Sequence, residues 1–587
     1  MHRSWSTLFW SLAIRQRRRL RESEAAFILL AILAGVAAGL ITNLLQLMAH
    51  GIQELLYGVS INRLSALGEI RHPWRLLGLP LGGLALVLLA RLLRRRQRPQ
   101  RPLIDVVEAN ALHGGRIPMA DNLVIAGQTI LSNGAGASVG LEAAYAQMGG
   151  GVASLLGQWL KLRRNDLRTL VGAGAGAGVG AAFGAPLAGA FYAFEIVIGH
   201  YTPAAIAPVV AAALSAAFVT RALGVEPWLI ATTADRILGT ADYLLYALLG
   251  LICAGLGILI MRMVTFAEMR VQGWTWPGRW KPVIGGLLLM PLAWLTPQTL
   301  SAGHGALHLN LILLPDWTVL LMILCLKIAA SVISLSFGFR GGLFFASLFL
   351  GSLAGQIFAQ IVDIVGIGWS LDPNDAALVG MAALSVAIVG GPMTLGLLML
   401  ETTHDFQLMG VVLTASLLSS AVTREMFGYS FSTWRLHLRG STIRSPRDIG
   451  WVMNLTAGRM MRRDWVSVPD TMSVGQFRAL VPLGSASKAI MIDGAGGYRG
   501  IVPTAAAYRP ELAEDAPIAP LATMADISLR ADADIRAILP LFDKAAADEL
   551  AVVDESGLVL GVLTEKHARR RYFEEIESSQ RALFGEG

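Results

Sequence analysis

The sequence predicts an all-α polytopic membrane protein, made of two related halves rich in broken helices, with a smaller α/β pair behind it. Three observations carry that prediction. The 587 residues are 54% hydrophobic and only 15% charged, with 63 glycines, a balance well outside soluble usage. Apolar runs recur from Ala25 to about Val422 and cease by Arg439, after which the composition turns soluble. Each of the two regions also repeats itself at an offset of its own.

Residues 1–24 include SWSTLFWSLAIRQRRRL (4–20), which reads as an interfacial amphipathic helix with Trp and Phe on one side and arginines toward lipid headgroups. It lacks the small-residue cleavage site of a signal peptide. RQRRRLR (15–21) precedes the first long apolar run, AAFILLAILAGVAAGLITNLLQL (25–47), and RLLRRRQRPQR (91–101) follows the second, LLGLPLGGLALVLLARLL (76–93). Basic flanks at both ends of this hairpin place those ends, and the N-terminus, in the cytoplasm. The net charge of +7, from 48 Lys and Arg against 41 Asp and Glu, lies largely in such flanks. It reads as contact with membrane lipid and not with nucleic acid.

Further along, GGRIP (114–118) reads as a turn before the next helix. GAGAGAGVG (172–180) reads as close helix packing through small residues, since no Gly-Lys-Ser/Thr follows to make a phosphate loop. YLLYALLGLICAGLGILIM (243–261) and WTVLLMILCLKIAASVISL (317–335) each approach the ~20 residues a spanning helix needs. Other runs are too short or too interrupted by Gly and Pro to cross straight. Irregular backbone at membrane depth survives where protein buries it or water wets it, so these interruptions should line a site. Cys253 and Cys325, the two cysteines, sit inside apolar runs and imply neither a disulfide framework nor a metal site. Lys327 is an intramembrane charge, expected to be paired or to face a vestibule. No Ser-His-Asp or Cys-His set stands out, so an enzyme is not expected.

The membrane region repeats. GAPLAGAFYAFE (184–195) matches GGPMTLGLLMLE (390–401), bringing Glu195 and Glu401 into the same place 206 residues apart; GLEAAYAQMG (140–149) matches GLFFASLFLG (342–351) at an offset of 202. Duplicated halves with broken helices place a solute site where half-helix ends meet. The glycine turns at Gly140 and Gly342 open into helices, so free backbone N–H groups and positive dipole ends should converge on one spot. That is an anion site, because backbone donors offset much of the desolvation penalty of a small anion and still let it leave.

The order of GLEAA, GAPLAG, GFRGGLFFA and GGPMT resembles the CLC family of chloride channels and proton-coupled anion exchangers, over nearly the whole chain. The resemblance implies two inverted repeats per subunit, roughly 16–18 helices in all, and a homodimer with one pore in each subunit. It implies that Glu142 is the gate, a carboxylate that competes with the anion and swings away on protonation, and that Gly140 and Leu141 just before it are anion-binding. Leu141, Ala143 and Ala144 depart from the family's Gly-Arg-Glu-Gly-Pro. Gly342-Leu343-Phe344-Phe345-Ala346 is similar to Gly-x-Phe-x-Pro, which implies that the amides of Leu343 and Phe344 face the anion.

Three departures touch chemistry. The family's central serine falls at Leu103, in PLIDVVEANAL (102–112), so that hydroxyl is missing. The pore tyrosine aligns with Phe431 in GYSFSTWR (428–435), or with Tyr429 if the register slips by two. The inward-facing glutamate of the exchangers is Ile196, which disfavours strict proton coupling by that route and leaves Glu195 to cap or brace a helix interface. The resemblance therefore implies passive or weakly coupled conduction, with chloride first as the family's usual substrate. A proton-coupled exchanger for fluoride, bicarbonate or nitrate stays open, as does a non-conducting anion receptor.

After the linker the second duplication begins. WVSVPDTMSV (465–474) matches DISLRADADI (526–535), and MIDGAGGYRG (491–500) matches VVDESGLVLG (552–561), all at an offset of 61. Each copy predicts a strand, a helix opened by a polar cap, and a hairpin turning at Asp493–Gly497 or Asp554–Gly557. This resembles a pair of CBS motifs. Such pairs often bind adenine nucleotides through a Thr and an Asp three residues apart. Thr564 matches, but His567 replaces the Asp, and the first copy has Pro503 and Ala506; a structural or dimer-bracing pair, without a nucleotide cofactor, is expected. The expected boundaries are 1–24 for the N-terminal helix and 25–440 for the membrane domain, with halves at about 25–225 and 240–430. A linker at 441–460 and the pair at 461–587, with copies at about 461–515 and 516–575, complete the chain. A bacterial inner membrane with both termini cytoplasmic is the expected location.

Overall fold

The computed structural model describes residues 23–58, 64–70, 72–96, 103–225, 230, 238–274, 280–366, 368–438 and 455–584. The expected amphipathic helix at 4–20 and residues 441–454 of the expected linker lie outside the described residues. The chain forms two units, Met1–Arg447 and Asp448–Gly587.

The first unit carries seventeen α-helices among the described residues. In the first half these are α1 (Glu24–Tyr57), α2 (Gly78–Arg96), α3 (Val106–Leu112), α4 (Met119–Gly134), α5 (Glu142–Trp159), α6 (Arg164–Phe183), α7 (Pro186–Tyr192) and α8 (Pro203–Ala222). The second half holds α9 (Thr240–Gln272), α10 (Lys281–Leu295), α11 (His304–Leu313), α12 (Trp317–Ser336), α13 (Phe344–Val365), α14 (Pro373–Val389), α15 (Pro392–Thr403), α16 (Phe406–Met426) and α17 (Phe431–Leu438). Seven helices among the described residues are long and apolar enough to cross a membrane, and this is an integral membrane protein. The apolar helices Pro186–Ile198, Lys281–Leu295 and Pro373–Val389 are shorter; these are the broken elements the Gly and Pro interruptions predicted. Each of the three opens with a proline in its first turn, where the missing N–H costs nothing.

Packing follows the duplication. α1 lies against α8 as α9 lies against α16, and α5 against α6 as α13 against α14; α2 meets α10 and α7 meets α15 across the halves. The α5–α6 and α13–α14 crossings are close enough that a Cβ on Gly149 would stand 2.2 Å from Gly174 O, and one on Gly351 2.2 Å from Gly380 O. Small residues at both crossings are thus a packing requirement.

Where α7 meets α15 the halves cap each other. Glu401 Oε1 and Oε2 accept from the N–H groups of Leu187 and Ala188 at 2.9 and 2.8 Å. Glu195 accepts from those of Met393 and Thr394 at 3.2 and 2.8 Å and from Thr394 Oγ1 at 2.7 Å. Each carboxylate satisfies the orphan donors opening the other half's helix. Such an exchange between equivalent residues requires an approximate two-fold axis between the halves.

The second unit holds two three-stranded sheets: β1 (Ser467–Pro469), β2 (Lys488–Ile492) and β3 (Tyr498–Pro503), then β4 (Leu529–Arg530), β5 (Glu549–Val553) and β6 (Val559–Thr564). In each, the first strand pairs parallel with the second and the hairpin closes antiparallel. The register shifts at Met491/Ile492 and again, 61 residues on, at Val552/Val553. α18 (Ala457–Met460) precedes β1; α19 (Val474–Leu480) and α21 (Ile535–Ala545) follow the first strand of each copy; α20 (Thr504–Ala507) and α22 (Glu565–Phe584) follow the last. Ser473 and Gln476 form a capping box on α19, and Asp534 accepts from Ala537 N–H at the start of α21. The hairpin tips bond reciprocally, Tyr498 N–H to Gly557 O at 3.1 Å and Val559 N–H to Gly496 O at 3.4 Å. This pair has an approximate two-fold axis of its own.

Candidate anion site

The site grows from two equivalent loops, one between α4 and α5 and one between α12 and α13. Ser132 near the end of α4 accepts from Arg340 N–H in the other loop at 2.9 Å, and Ser334 near the end of α12 accepts from Ser138 N–H at 3.0 Å. All four residues obey the offset of 202. Two positions on, Gly140 N–H donates to Gly342 O at 2.9 Å and Gly342 N–H to Gly140 O at 3.2 Å, a single antiparallel bridge on the axis between the halves. Asn133 Nδ2 holds the Val139 carbonyl at 2.8 Å and Tyr57 Oη the Ala135 carbonyl at 2.8 Å, fixing the first loop from behind.

From this bridge α5 and α13 start. Neither has a side-chain cap; Leu141 and Leu343 stand at the N-cap positions and offer no acceptor. The N–H groups of Leu141, Leu343 and Phe344 have no acceptor among the described residues. Glu142, 3% exposed, folds its carboxylate back into this space, where its own N–H and that of Phe345 face it. The seat is tight: a Cβ on Gly140 would stand 1.9 Å from Glu142 Oε2, and one on Gly342 3.7 Å from it. Oε2 has no hydrogen-bond partner among the described residues. Two uncapped helix starts, with a buried carboxylate against them, can hold one small anion or that carboxylate.

One expectation needs correction. Gly140 cannot donate to an anion, because its N–H is taken by the Gly342 carbonyl; its contribution is the room its missing side chain leaves for the Glu142 carboxylate. Leu141, Leu343 and Phe344 keep their N–H groups. Phe344 is buried, its ring centroid 5.4 Å from that of Phe183 and 6.3 Å from that of Tyr192. Phe345 stacks on Phe183 on one side and on His304 on another.

Leu103 is half-buried just before α3. Its loop is tied to α5: Gln147 on that helix accepts from Val106 N–H at 2.8 Å and donates to Ile104 O at 3.3 Å, while Asp121 accepts from Ile104 N–H. Asp105 caps α3 by accepting from Glu108 N–H at 2.8 Å. Phe431, 8% exposed, opens α17 within the apolar cluster that holds Phe344, whereas the Tyr429 ring packs against Phe427 and Trp434. Ile196 is buried in the π-helical turn Ala193–Ile198 that prolongs α7. Lys327 is fully buried and donates to the carbonyls of Ser301 and Thr299 at 2.7 and 3.2 Å.

The sequence reading passed over Tyr192. It is buried beside Phe344, within electrostatic reach of both Asp105 and Glu142. The signal available was a lone phenol among the small and apolar residues of GAFYAF (189–194). It has no partner in the duplication, since Leu398 stands at the equivalent position.

Residues 82–424 match the family described as voltage gated chloride channel. The chain is 28% identical over 406 residues to the voltage-gated ClC-type chloride channel ClcB of Salmonella dublin, covering 68% of this chain and 95% of that protein. It is 27% identical over 373 residues to ClcB of Escherichia coli O157:H7, covering 62% and 87%. Its fold is similar to that of a slow cyanobacterial Cl−/H+ antiporter (TM-score 0.61, 22% identity, 70% of this chain and 97% of that one). It is similar also to a CLC-type fluoride/proton antiporter (TM-score 0.57, 21% identity, 68% and 96%). The likeness to a eukaryotic CLC transporter (TM-score 0.59, 19% identity) spans 92% of this chain and 97% of that one, and so takes in the C-terminal unit. With more than half of its length matched by the family, the chain belongs to the voltage-gated chloride channel, or CLC, family.

Proposed function

We propose that this protein conducts a small anion, chloride first, through one pore in each subunit of a homodimer, with the Glu142 carboxylate as the gate. One observation carries the reading: a buried carboxylate lies against two uncapped helix starts joined by the Gly140–Gly342 bridge. An anion and a tethered carboxylate compete for such donors, and protonation removes the side chain's claim on them. Ile196, apolar and buried, supports conduction without strict proton coupling by the inner-glutamate route. Chloride is favoured by the names of the relatives, although the neighbours with this fold include a fluoride/proton antiporter. The chemistry is transport, as in the rest of the family, and needs no bound cofactor. In the C-terminal pair Thr564 Oγ1 already accepts from His567 N–H at 3.3 Å, in keeping with a bracing role and not a nucleotide site. An inner bacterial membrane with cytoplasmic termini completes the proposal.

The test is flux from proteoliposomes loaded with chloride, fluoride, bicarbonate or nitrate, with and without a proton gradient. Wild-type protein should pass chloride, and Glu142→Gln should flatten the pH dependence of that flux by roughly tenfold across the titration, equal to about 1.4 kcal/mol of lost competition. Flux no faster than from empty vesicles for every anion ends the transport reading. Stoichiometric proton movement uphill overturns the uncoupled one.

A further inference from the structure

The two hydroxyls that the family resemblance leads one to expect at the site are hydrocarbon here, at Leu103 and Phe431. Several hydroxyls on the segments that build the site are otherwise engaged. Ser138 Oγ pairs with Ser331 Oγ at 3.0 Å, Ser347 Oγ donates to Phe344 O at 2.6 Å, and Ser430 Oγ pairs with Thr433 Oγ1 at 3.1 Å. Tyr145 bonds to the side chain of Gln46. Ser352 Oγ, without a partner among the described residues, lies two turns along α13 from its start, whereas Tyr192 stands beside the start itself. It is 8% exposed, and its ring is 6.3 Å from that of Phe344. The carboxylates of Asp105 and Glu142 are charged groups within its electrostatic reach, and Glu142 Oε2 has no partner among the described residues.

Backbone supports the placement. Tyr192 is the last residue of α7, where the helix widens into the π-helical turn Ala193–Ile198, a change of winding that recurs at functional positions. A buried carboxylate oxygen left without a partner, as Glu142 Oε2 is among the described residues, is expensive. Carboxylates only accept hydrogen bonds, so an anion that displaces the Glu142 side chain meets the Leu343 and Phe344 amides on one side and, from α7, a single hydroxyl donor. We propose that the Tyr192 hydroxyl is the side-chain hydrogen-bond donor to the permeating anion, supplied from α7 in place of the hydroxyls missing at Leu103 and Phe431. This rests on the anion-conducting reading above and names the residue that recognises the anion within it. A donor of this kind favours small, strongly hydrated anions over large, weakly hydrated ones.

The experiment has two readouts on full-length protein: chloride binding in detergent by titration calorimetry, and chloride and thiocyanate flux from proteoliposomes. The variants are Tyr192→Phe, which removes one oxygen, and Tyr192→Phe with Phe431→Tyr. Tyr192→Phe should weaken chloride binding about tenfold, the loss of one hydrogen bond to a charged group. It should also lower the chloride-to-thiocyanate flux ratio, a change that loosened packing alone does not produce. Restoring a phenol at 431 should recover part of both. If wild type conducts chloride and Tyr192→Phe binds it with unchanged affinity and unchanged ratio, the Tyr192 assignment is overturned while conduction stands. If wild type binds chloride, less tightly after Tyr192→Phe, yet passes none, conduction is overturned and Tyr192 stands as donor to a bound anion that does not permeate. Neither binding nor flux in wild type overturns both.

Discussion

Glu142 and Phe344 occupy the same position in the two halves of the membrane unit, each the first residue of its helix and each two residues past a glycine of the central bridge. Around them the halves are interchangeable. Ser132 and Ser334 hold each other's loops, Gly140 and Gly342 bond to each other, and Glu195 and Glu401 cap each other's helices. At positions 142 and 344 the symmetry stops: the first half contributes a carboxylate and the second an aromatic ring. The backbone needs two-fold symmetry to aim two sets of donors at one point, because one helix start supplies only a few N–H groups. The gate proposed at Glu142, by contrast, needs one carboxylate, since two in the same low-dielectric space would repel each other.

The sharpest way to break this comparison is to put the same methyl group on both bridge glycines. On Gly140 it would collide with the end of the Glu142 side chain at 1.9 Å; on Gly342 its nearest neighbours stand at 3.7 Å, ordinary van der Waals contact. Gly140→Ala should therefore expel the carboxylate from its seat and raise flux at high pH by roughly five- to thirtyfold, the effect of about 1 to 2 kcal/mol on the closed state. The obstructing atoms end a flexible side chain, so the fold should survive. Gly342→Ala should change neither flux nor stability by more than about 0.5 kcal/mol. Equal responses of the two variants in the flux assay would mean that the halves are not functionally distinct at the bridge.

What the sequence revealed follows the same divide. The duplication was legible because glycine, proline and glutamate are needed at equivalent places and so recur at a fixed spacing. The uncapped starts of α5 and α13 were legible because a glycine turn before an apolar run has few other readings. The Ser132–Arg340 and Ser334–Ser138 bonds were not: a serine inside an apolar helix has no periodic signature, and its partner lies about 200 residues away. Gly140 was placed among the anion-binding residues because a sequence shows where an N–H belongs but not which carbonyl the other half brings to it. Lys327 had no visible partner because its partners are the backbone carbonyls of Thr299 and Ser301, which any residue type would supply.

The reciprocal caps give a second, smaller contrast. Glu195 receives two N–H groups and the Thr394 hydroxyl, whereas Glu401 receives two N–H groups. Removing a carboxylate cap from a helix start costs about 1 to 2 kcal/mol, and the hydroxyl, left without its acceptor, adds to the loss on one side. Glu195→Ala should lower the thermal midpoint of the detergent-solubilised protein more than Glu401→Ala, and neither should remove the pH dependence of flux. A larger loss at Glu401 would show that the Thr394 bond contributes nothing to the brace. Loss of pH dependence in Glu195→Ala would move that residue from bracing to proton handling.

The C-terminal pair offers the smallest and most closely matched comparison, two hairpins built on Asp493 and Asp554. Asp493 accepts from the N–H groups of Gly497 and Ala495, which hold its carboxyl below the usual range, with an ion pair to Arg499 at 3.3 Å adding to the effect. Asp554 is lowered chiefly by the Ser556 hydroxyl at 2.7 Å and then by backbone N–H groups. A carboxyl lowered by folding stabilises above its unfolded pKa of about 3.9, and that contribution fades as pH falls through the folded value. Both tips should therefore loosen from about pH 4 downward, read as faster amide hydrogen exchange at Tyr498 and Val559 in the intact protein. Asn at either position can keep the turn while removing the titration, so Asp493→Asn and Asp554→Asn should each flatten the acid response of their own tip. Salt separates them, because an exposed ion pair is screened and a hydroxyl bond is not. At roughly 1 M salt, where screening reaches ~3 Å, the acid response should shift at the Asp493 tip and hold at the Asp554 tip; the same shift at both would assign the low Asp493 pKa to its backbone bonds alone.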